Sequence, residues 1–315
     1  MELVQGLPQP INERATVLTI GAFDGVHLGH QHLITTTVRR AGALGFQSAV
    51  LTFDPHPDLV LHPSRKRLYL ADLEERIELI SALGVDLLIV LPFTGEVMAL
   101  SAQQFMSRIC QAVALRELYV GWDFALGRRR EGDLPRLREI GKGLGYVAHT
   151  VEPFSLDGAT ISSTRIRELL RAGDVEEATT LLGRAFTVRG PVIEGDRRGR
   201  KIGFPTANIA VDQQRMLPGD GVYVCRAWLD DRHYGAVTNV GVRPTFDGTR
   251  RTVEAYLLDF AGDIYGATLR LNFLHRLRGE QKFDGITALV EQITRDTGAA
   301  REWLKKHSQS PMAKA

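Results

Sequence analysis

The sequence predicts an α/β domain with a doubly wound parallel sheet, followed by a small antiparallel β-barrel that ends in a helix. Three observations carry that prediction. Between residues 16 and 172, β-branched and aliphatic runs alternate with stretches of helical periodicity. From Phe186 onward, short β-rich runs alternate with glycine and proline turns. The length, 315 residues, is comfortable for two domains. The composition shift places the boundary near Gly183, giving domains of residues 1–183 and 184–315.

The first element is a strand at 16–20, which glycines break before a helix over 31–43. Strand, glycine turn, helix is a phosphate-site layout: Gly25 and Gly29 permit close backbone approach, and the helix start favours an anion. His27 and His30, three apart at that start, face the same way and add donors beside the anion. With His32 they could instead bind zinc, but no cysteine is near, and a purely structural turn is the other alternative. A second strand over 47–53 ends in Asp54-Pro55-His56-Pro57. Strand, helix, strand implies a parallel sheet with ligands at its carboxyl ends, where Asp54 and His56 would sit unless the prolines simply shape a loop.

Helices follow over 73–83 and 101–114, and strands over 84–91 and 117–121. The next loop holds Asp123 and Phe124 before Arg128-Arg129-Arg130; an acidic residue ahead of a glycine-flanked basic loop suits a polar ligand edge beside phosphate. A helix over 135–145, a strand over 146–151 and a helix over 161–172 complete the unit, with a short helix over 175–182. Ser163 and Thr164 at a helix start can act as caps. Arg167, three residues after Thr164, shares their face and suits a triphosphate.

In the second half, strands are expected at 187–188, 222–228, 234–240, 253–259 and 267–273, then a helix over 286–295, a shorter helical piece over 299–305 and a disordered tail over 308–315. Gly199 to Asn208 is no Walker A loop, yet Gly199 and Gly203 can expose backbone N–H groups to phosphate. Thr206 and Asn208, two apart, project to one side of an extended segment and could complete the shell of a phosphate-bound Mg²⁺; a plain turn is the alternative. Glu254 alternates with Val253 and Ala255, so it is either a surface glutamate or, at a barrel mouth, a proton acceptor in phosphoryl transfer.

Composition narrows the partners. The formal charge is only +2 with 24% charged residues, so nucleic acid is not expected as a main partner. Basic clusters at 128–130 and 197–201 suit small anions or a solvated loop. The two cysteines, Cys110 and Cys225, are far apart, as in a reducing cytoplasm. The longest apolar run, near residues 87–92, falls far short of the roughly 20 residues that span a bilayer, so a soluble cytoplasmic protein is expected. Oligomeric state is left open.

Two stretches resemble signatures of the nucleotidyltransferase superfamily. Gly21-Ala22-Phe23-Asp24-Gly25-Val26-His27-Leu28-Gly29-His30 is similar to its HxGH signature, and Ser162-Ser163-Thr164-Arg165-Ile166-Arg167 to its second nucleotide-binding signature. The resemblance implies phosphate contacts from Gly21, Phe23, Asp24, Gly25, Gly29, Ser163, Thr164 and Arg167, with His27 and His30 stabilising the α-phosphate as pyrophosphate leaves. Over nearly its full length the chain resembles the prokaryotic bifunctional riboflavin kinase/FAD synthetases. The second half does so through Gly199 to Asn208, Asn239-Val240-Gly241-Val242-Arg243-Pro244-Thr245-Phe246, Val253-Glu254 and Leu277-Arg278-Gly279-Glu280-Gln281-Lys282-Phe283. Trp122, Tyr256 and Gly279 depart from the pattern.

That resemblance implies ATP, riboflavin, FMN and FAD as ligands and Mg²⁺ with ATP. It implies phosphorylation of riboflavin in the barrel and AMP transfer to FMN in the first domain. It assigns Glu254 as base, Thr206 and Asn208 to the metal, Gly199 and Gly203 to phosphate, and Asp54, His56, Asp123, Phe124, Arg278 and Phe283 to flavin. A single-activity nucleotidyltransferase with a flavin-binding but non-catalytic β domain would leave Thr206, Asn208 and Glu254 idle. A flavin-sensing binder would need pockets without turnover. A class I aminoacyl-tRNA synthetase fragment is disfavoured by the near-neutral charge.

Overall fold

The computed structural model describes residues 1–7, 14–62, 64, 68–156, 158–195, 199, 202–245 and 248–307. They divide into two compact units, Met1–Ser163 and Thr164–Ala315.

The first unit is a parallel sheet of β1 (Glu2–Gln5), β2 (Thr16–Ile20), β3 (Gln47–Asp54), β4 (Leu87–Pro92), β5 (Leu115–Gly121) and β6 (Val147–Val151), in the order β1-β4-β3-β2-β5-β6. Its connecting helices are α1 (Leu28–Leu44), α2 (Pro57–Leu61), α3 (Leu73–Ser81), α4 (Gly95–Ala99), α5 (Ala102–Ala112) and α6 (Leu134–Leu144). The central strands are apolar on both faces because helices cover both. Leu18, Leu51, Ile89 and Leu118 pack with Phe105, Ile109, Leu137 and Ile140 of α5 and α6. On the opposite face Val50, Leu88 and Val90 pack with Ile34 of α1 and Ile80 of α3.

The helix ends follow local chemistry. Ser101 and Gln104 form a capping box at α5, Asp72 and Asp133 cap α3 and α6, and Gly45 and Gly145 close α1 and α6 in the left-handed region. Strand β1 and helices α2 and α4 were not expected. Glu2-Leu3-Val4-Gln5 is half polar and becomes a strand by pairing with β4, Glu2 opposite Leu87. The two helices are five residues each, too short to show a period. A small hairpin, β7 (Ser155–Leu156) and β8 (Ala159–Thr160), precedes α7 (Ser163–Ala172).

The second unit is a closed antiparallel barrel of β9 (Phe186–Ile193), β10 (Ala207–Ile209), β11 (Gly221–Leu229), β12 (Arg232–Thr245), β13 (Gly248–Leu257) and β14 (Thr268–Arg278), in the order β10-β13-β12-β11-β14-β9. Helix α8 (Val175–Leu182) packs on β14 and β9, with Val175, Ala178, Leu181 and Leu182 buried. The closing helix, α9 (Ile286–Lys306), is continuous where the sequence reading expected a break between residues 295 and 299. Gly298 weakens helix propensity there, but Asp296, Thr297 and Ala300 are buried, and this packing carries the helix across. The tail expectation, 308–315, lies outside the described residues. Among the described residues, no helix is long and apolar enough to cross a membrane.

Candidate active sites

The first site is built on the turn between β2 and α1. Gly25 takes φ +81°, and Phe23 and Val26 also adopt positive φ, 48° and 38°. A β-branched valine in that region stores about 1–3 kcal/mol of strain, so the surroundings must over-determine the turn. They do. The Asp24 carboxylate is buried, and its Oδ1 accepts the backbone N–H groups of Leu70 (2.9 Å) and Ala71 (3.4 Å). Leu70 packs so close to Gly25 that an added Cβ would stand 2.9 Å from its own Cβ. Ser163 Oγ donates to the Asp24 carbonyl at 3.0 Å. Asp24 and Ser163 therefore shape this loop.

The turn sets the two histidines. His27, 4% exposed, is the N-cap of α1, and its Nδ1 accepts the backbone N–H of His30 at 3.3 Å. With Nδ1 occupied as an acceptor, the neutral ring carries its proton on Nε2 and presents an N–H donor. The His27 and His30 rings stack with centroids 3.6 Å apart, and Phe23 meets His30 edge-on at 5.4 Å. Two glycines make room. A Cβ on Gly29 would lie 3.2 Å from the His27 ring, and one on Gly21 would lie 2.8 Å from Phe23.

Beside the turn, at the carboxyl end of β3, lies a residue that sequence reasoning missed. Arg76 is 1% exposed; it donates to Ala22 O (2.9 Å), Thr52 Oγ1 (3.2 Å), Phe53 O (3.0 Å) and Asp54 Oδ1 (2.8 Å). It ties the ends of β2 and β3 together and holds the Asp54 carboxylate. The signal was present: Arg76 falls four residues before Ile80, on the core face of α3. His56 caps α2, its Nδ1 accepting Asp58 N–H at 3.1 Å, while its own N–H donates to the Tyr69 hydroxyl at 3.2 Å. Burial raises the Tyr69 phenol above its ordinary value.

Beyond β5, Asp123 is exposed and its carbonyl accepts from Arg130 (2.9 Å), whereas Phe124 is half-buried against the core. Trp122 is 61% exposed. Gly127, at φ +77°, lies so close to the backbone of Ala102 that a Cβ would meet its N at 2.6 Å, which presses this loop onto α5. Thr164 and Arg167 open the second unit on α7, Thr164 exposed and Arg167 buried.

The second site lies on the barrel. Asn208 of β10 pairs in register with Glu254 of β13, which pairs in turn with Asn239 of β12. Residues in register share a face. Their sequence neighbours Ala207, Ile209, Val253, Ala255, Thr238 and Val240 are all buried, so the three polar residues occupy the other face. Thr206 is half-buried, as Asn208 is. Gly199 closes the turn ahead of β10, its carbonyl accepting Ile202 N–H (3.1 Å) and Phe204 N–H (2.9 Å). A Cβ on Gly199 would lie 3.4 Å from Thr206 Oγ1, and one on Gly195 would run into the Asn208 amide. The Phe204 carbonyl fills the space beside Gly199 and the Asn208 amide fills the space beside Gly195; Thr206 Oγ1 and Asn208 Oδ1 are neutral oxygens of the type a hard divalent cation takes. Gly203, at φ +86°, is exposed, and a Cβ there would meet open space. Among the described residues no three His, Cys, Asp or Glu side chains cluster to hold a metal by themselves.

Arg278 forms a fork with Asp296 of α9 (2.8–3.1 Å) and lies over the Phe283 ring at 5.8 Å. The structure therefore brings Arg278 and Phe283 together at the carboxyl end of β14.

Comparison with known proteins decides the family. A family model described as FAD synthetase matches residues 9–165, and one described as riboflavin kinase matches residues 182–304. The bifunctional riboflavin kinase/FMN adenylyltransferase of Listeria monocytogenes is 38% identical over 92% of this chain and 93% of its own. The Escherichia coli protein of the same name is 34% identical over 96% and 98%. This chain belongs to that family. A crystal structure described as a macrolide-efflux protein from Streptococcus pneumoniae, 32% identical, covers 96% of this chain and 100% of its own with a TM-score of 0.88. Within the bifunctional riboflavin kinase/FMN adenylyltransferase family fold, Asn239 is a further polar residue that sequence reasoning left without a role. Its signal is an asparagine between Thr238 and Val240 in the middle of a strand, where β-depleted residues need a reason.

Proposed function

We propose that the roles of the two reactions fall as follows on this chain, which is an ATP-dependent riboflavin kinase and FMN adenylyltransferase. In the barrel, Glu254 accepts the proton of the riboflavin 5′-hydroxyl; that oxygen attacks the γ-phosphorus of ATP, the bond to the β–γ bridging oxygen breaks, and ADP leaves. Thr206 Oγ1 and Asn208 Oδ1 would hold Mg²⁺, which when bound neutralises phosphate charge. Gly199 and Gly203 would meet phosphate through their backbone N–H groups. Arg278 and Phe283 offer a flat cationic and aromatic edge to the flavin. The observation that carries the reading is the register Asn208–Glu254, a cation donor directly beside a carboxylate.

In the first unit, a phosphate oxygen of FMN attacks the α-phosphorus of a second ATP, the bond to the α–β bridging oxygen breaks, and pyrophosphate leaves. His27, with its donor fixed on Nε2, and His30, stacked on it, stabilise the charge that develops. Gly21, Phe23, Asp24, Gly25 and Gly29 build the turn that sets them, and Ser163, Thr164 and Arg167 keep the nucleotide-binding role that their signature implies. Asp54, His56, Asp123 and Phe124 are proposed to meet the flavin of FMN. Catalytically, the second domain begins near Gly183. The protein is proposed to work in the cytoplasm.

The test is crosswise. His30→Ala should cut FAD formation from FMN by about 10²-fold or more while sparing riboflavin phosphorylation. Glu254→Gln should cut FMN formation by about 10²–10⁴-fold while sparing adenylyl transfer. Loss of both half-reactions in either variant, with the fold intact, would overturn the assignment.

A further inference from the structure

We propose that Tyr69 and Asp54 form a donor–acceptor pair that reads the imide edge of the flavin in adenylyl transfer, the phenol donating to a ring carbonyl and the carboxylate accepting the neighbouring ring N–H. The proposal rests on the reading above that Asp54 and His56 meet the flavin of FMN. It adds a residue, Tyr69, and the part of the ring that is recognised.

Tyr69 is anchored from two sides. The next two residues, Leu70 and Ala71, give their backbone N–H groups to the buried Asp24 carboxylate at 2.9 and 3.4 Å, which ties this stretch to the β2–α1 turn. On the other side the Tyr69 hydroxyl accepts the backbone N–H of His56 at 3.2 Å, and the two rings lie with centroids 6.4 Å apart. His56 comes two residues after Asp54, the last residue of β3. The phenol therefore stands at the carboxyl end of a central strand, where a parallel sheet receives its ligand.

Both side chains keep an unused capacity. A phenol that accepts one hydrogen bond still has its own O–H to give, and among the described residues nothing accepts that of Tyr69. Burial raises the phenol above its ordinary value, and the Asp54 and Asp24 charges add to the rise, so the proton stays on oxygen at neutral pH. Asp54 Oδ1 accepts from Arg76 at 2.8 Å, and no partner among the described residues holds Oδ2 of this side chain, which is 39% exposed. A donor and an acceptor thus flank His56.

The pyrimidine ring of a flavin presents a carbonyl, the N3–H and a second carbonyl in a row. One donor beside one acceptor matches that edge. A site built to hydrogen-bond such groups rejects an analogue that lacks them, because its own polar groups are then left unpaired. A contact to the ring holds equally in ground and transition state, so it acts on FMN affinity and leaves the chemical step alone.

The experiment is adenylyl transfer by the full-length chain with saturating ATP and Mg²⁺, comparing FMN with N3-methyl-FMN, whose imide proton is replaced. The parental chain should show a KM for N3-methyl-FMN about 10-fold or more above that for FMN. Tyr69→Phe should raise KM for FMN by about 3–10-fold, the range of one neutral hydrogen bond, with kcat and KM for ATP within about twofold and riboflavin phosphorylation unchanged. With N3-methyl-FMN, Tyr69→Phe should change nothing further, because the methyl group already keeps the edge off the pair. The phenylalanine also removes the acceptor of the His56 N–H, so equal KM increases for both flavins would make Tyr69 a loop-shaping residue and overturn the proposal. A parental chain that takes both flavins alike, or a Tyr69→Phe variant with the parental KM for FMN, would overturn it too. If Asp54→Ala and His56→Ala both leave KM for FMN unchanged, the flavin reading of this end of the site fails; if they raise it and Tyr69→Phe does not, that reading stands and only the role of Tyr69 falls.

Discussion

Replacing Arg76 by methionine tests the claim that a buried cation under the β2–α1 turn holds the adenylyl site in shape. The methionine fills the space of the arginine stem, so the cavity cost is small and the loss is polar. Of the four acceptors, Ala22 O keeps the Thr52 hydroxyl, which donates to it at 3.1 Å. Asp54 is 39% exposed and can turn to water, which discounts the ion pair. The remaining cost falls on Phe53 O and Thr52 Oγ1, and on the lost tie between β2 and β3. Hydrogen bonds to a charged group contribute about 1.5–3 kcal/mol, which sets the expected destabilisation at about 2–3 kcal/mol. Urea unfolding combined with amide exchange at β2 and β3 measures it, alongside FAD formation from FMN. Both stability of these strands and adenylyl activity should fall while riboflavin phosphorylation holds. A change below about 1 kcal/mol with unaltered FAD formation would refute the reasoning.

Three further expectations follow from named contacts. A fragment of residues 184–315 should phosphorylate riboflavin without making FAD. A fragment of residues 164–315 should do so with a higher melting temperature, because it retains α8 and the Glu176–His275 pair at 2.7 Å; equal melting temperatures would deny α8 that role. Gly25→Ala combines φ +81° with a 2.9 Å approach to Leu70, and it should depress FAD formation more than Gly29→Ala, whose 3.2 Å contact with the His27 ring needs only a small shift; steady-state rates decide the order. Arg40 donates two hydrogen bonds to Glu117, at 2.8 and 2.7 Å, and these hold the carboxyl below its ordinary value. A depressed carboxyl stabilises the fold above its unfolded value, near 4.5, and that contribution is lost as pH falls through the lower folded value. Glu117→Gln should therefore flatten the acid limb of stability against pH; an unchanged limb would contradict this.

The parallel strands β2, β3, β4, β5 and β6 were legible because buried strands read as continuous apolar runs between stretches of helical period; their order in the sheet was not. The barrel was legible from alternation, which put Val253 and Ala255 on one face and Glu254 on the other. What stayed hidden depends on contacts distant in sequence. Strand β1 exists only through its pairing with β4. Helix α9 crosses Gly298 only because the barrel covers Ala300. Arg76 reads as an ordinary helix charge until Phe53 and Asp54 are brought beneath it.

The central claim, that one chain carries both reactions, is tested most directly by incubating the full-length protein with riboflavin, ATP and Mg²⁺ and separating the flavins over time. The account predicts that FMN appears first and FAD follows at its expense; riboflavin that stays unchanged, or FMN that accumulates and never yields FAD, would contradict it.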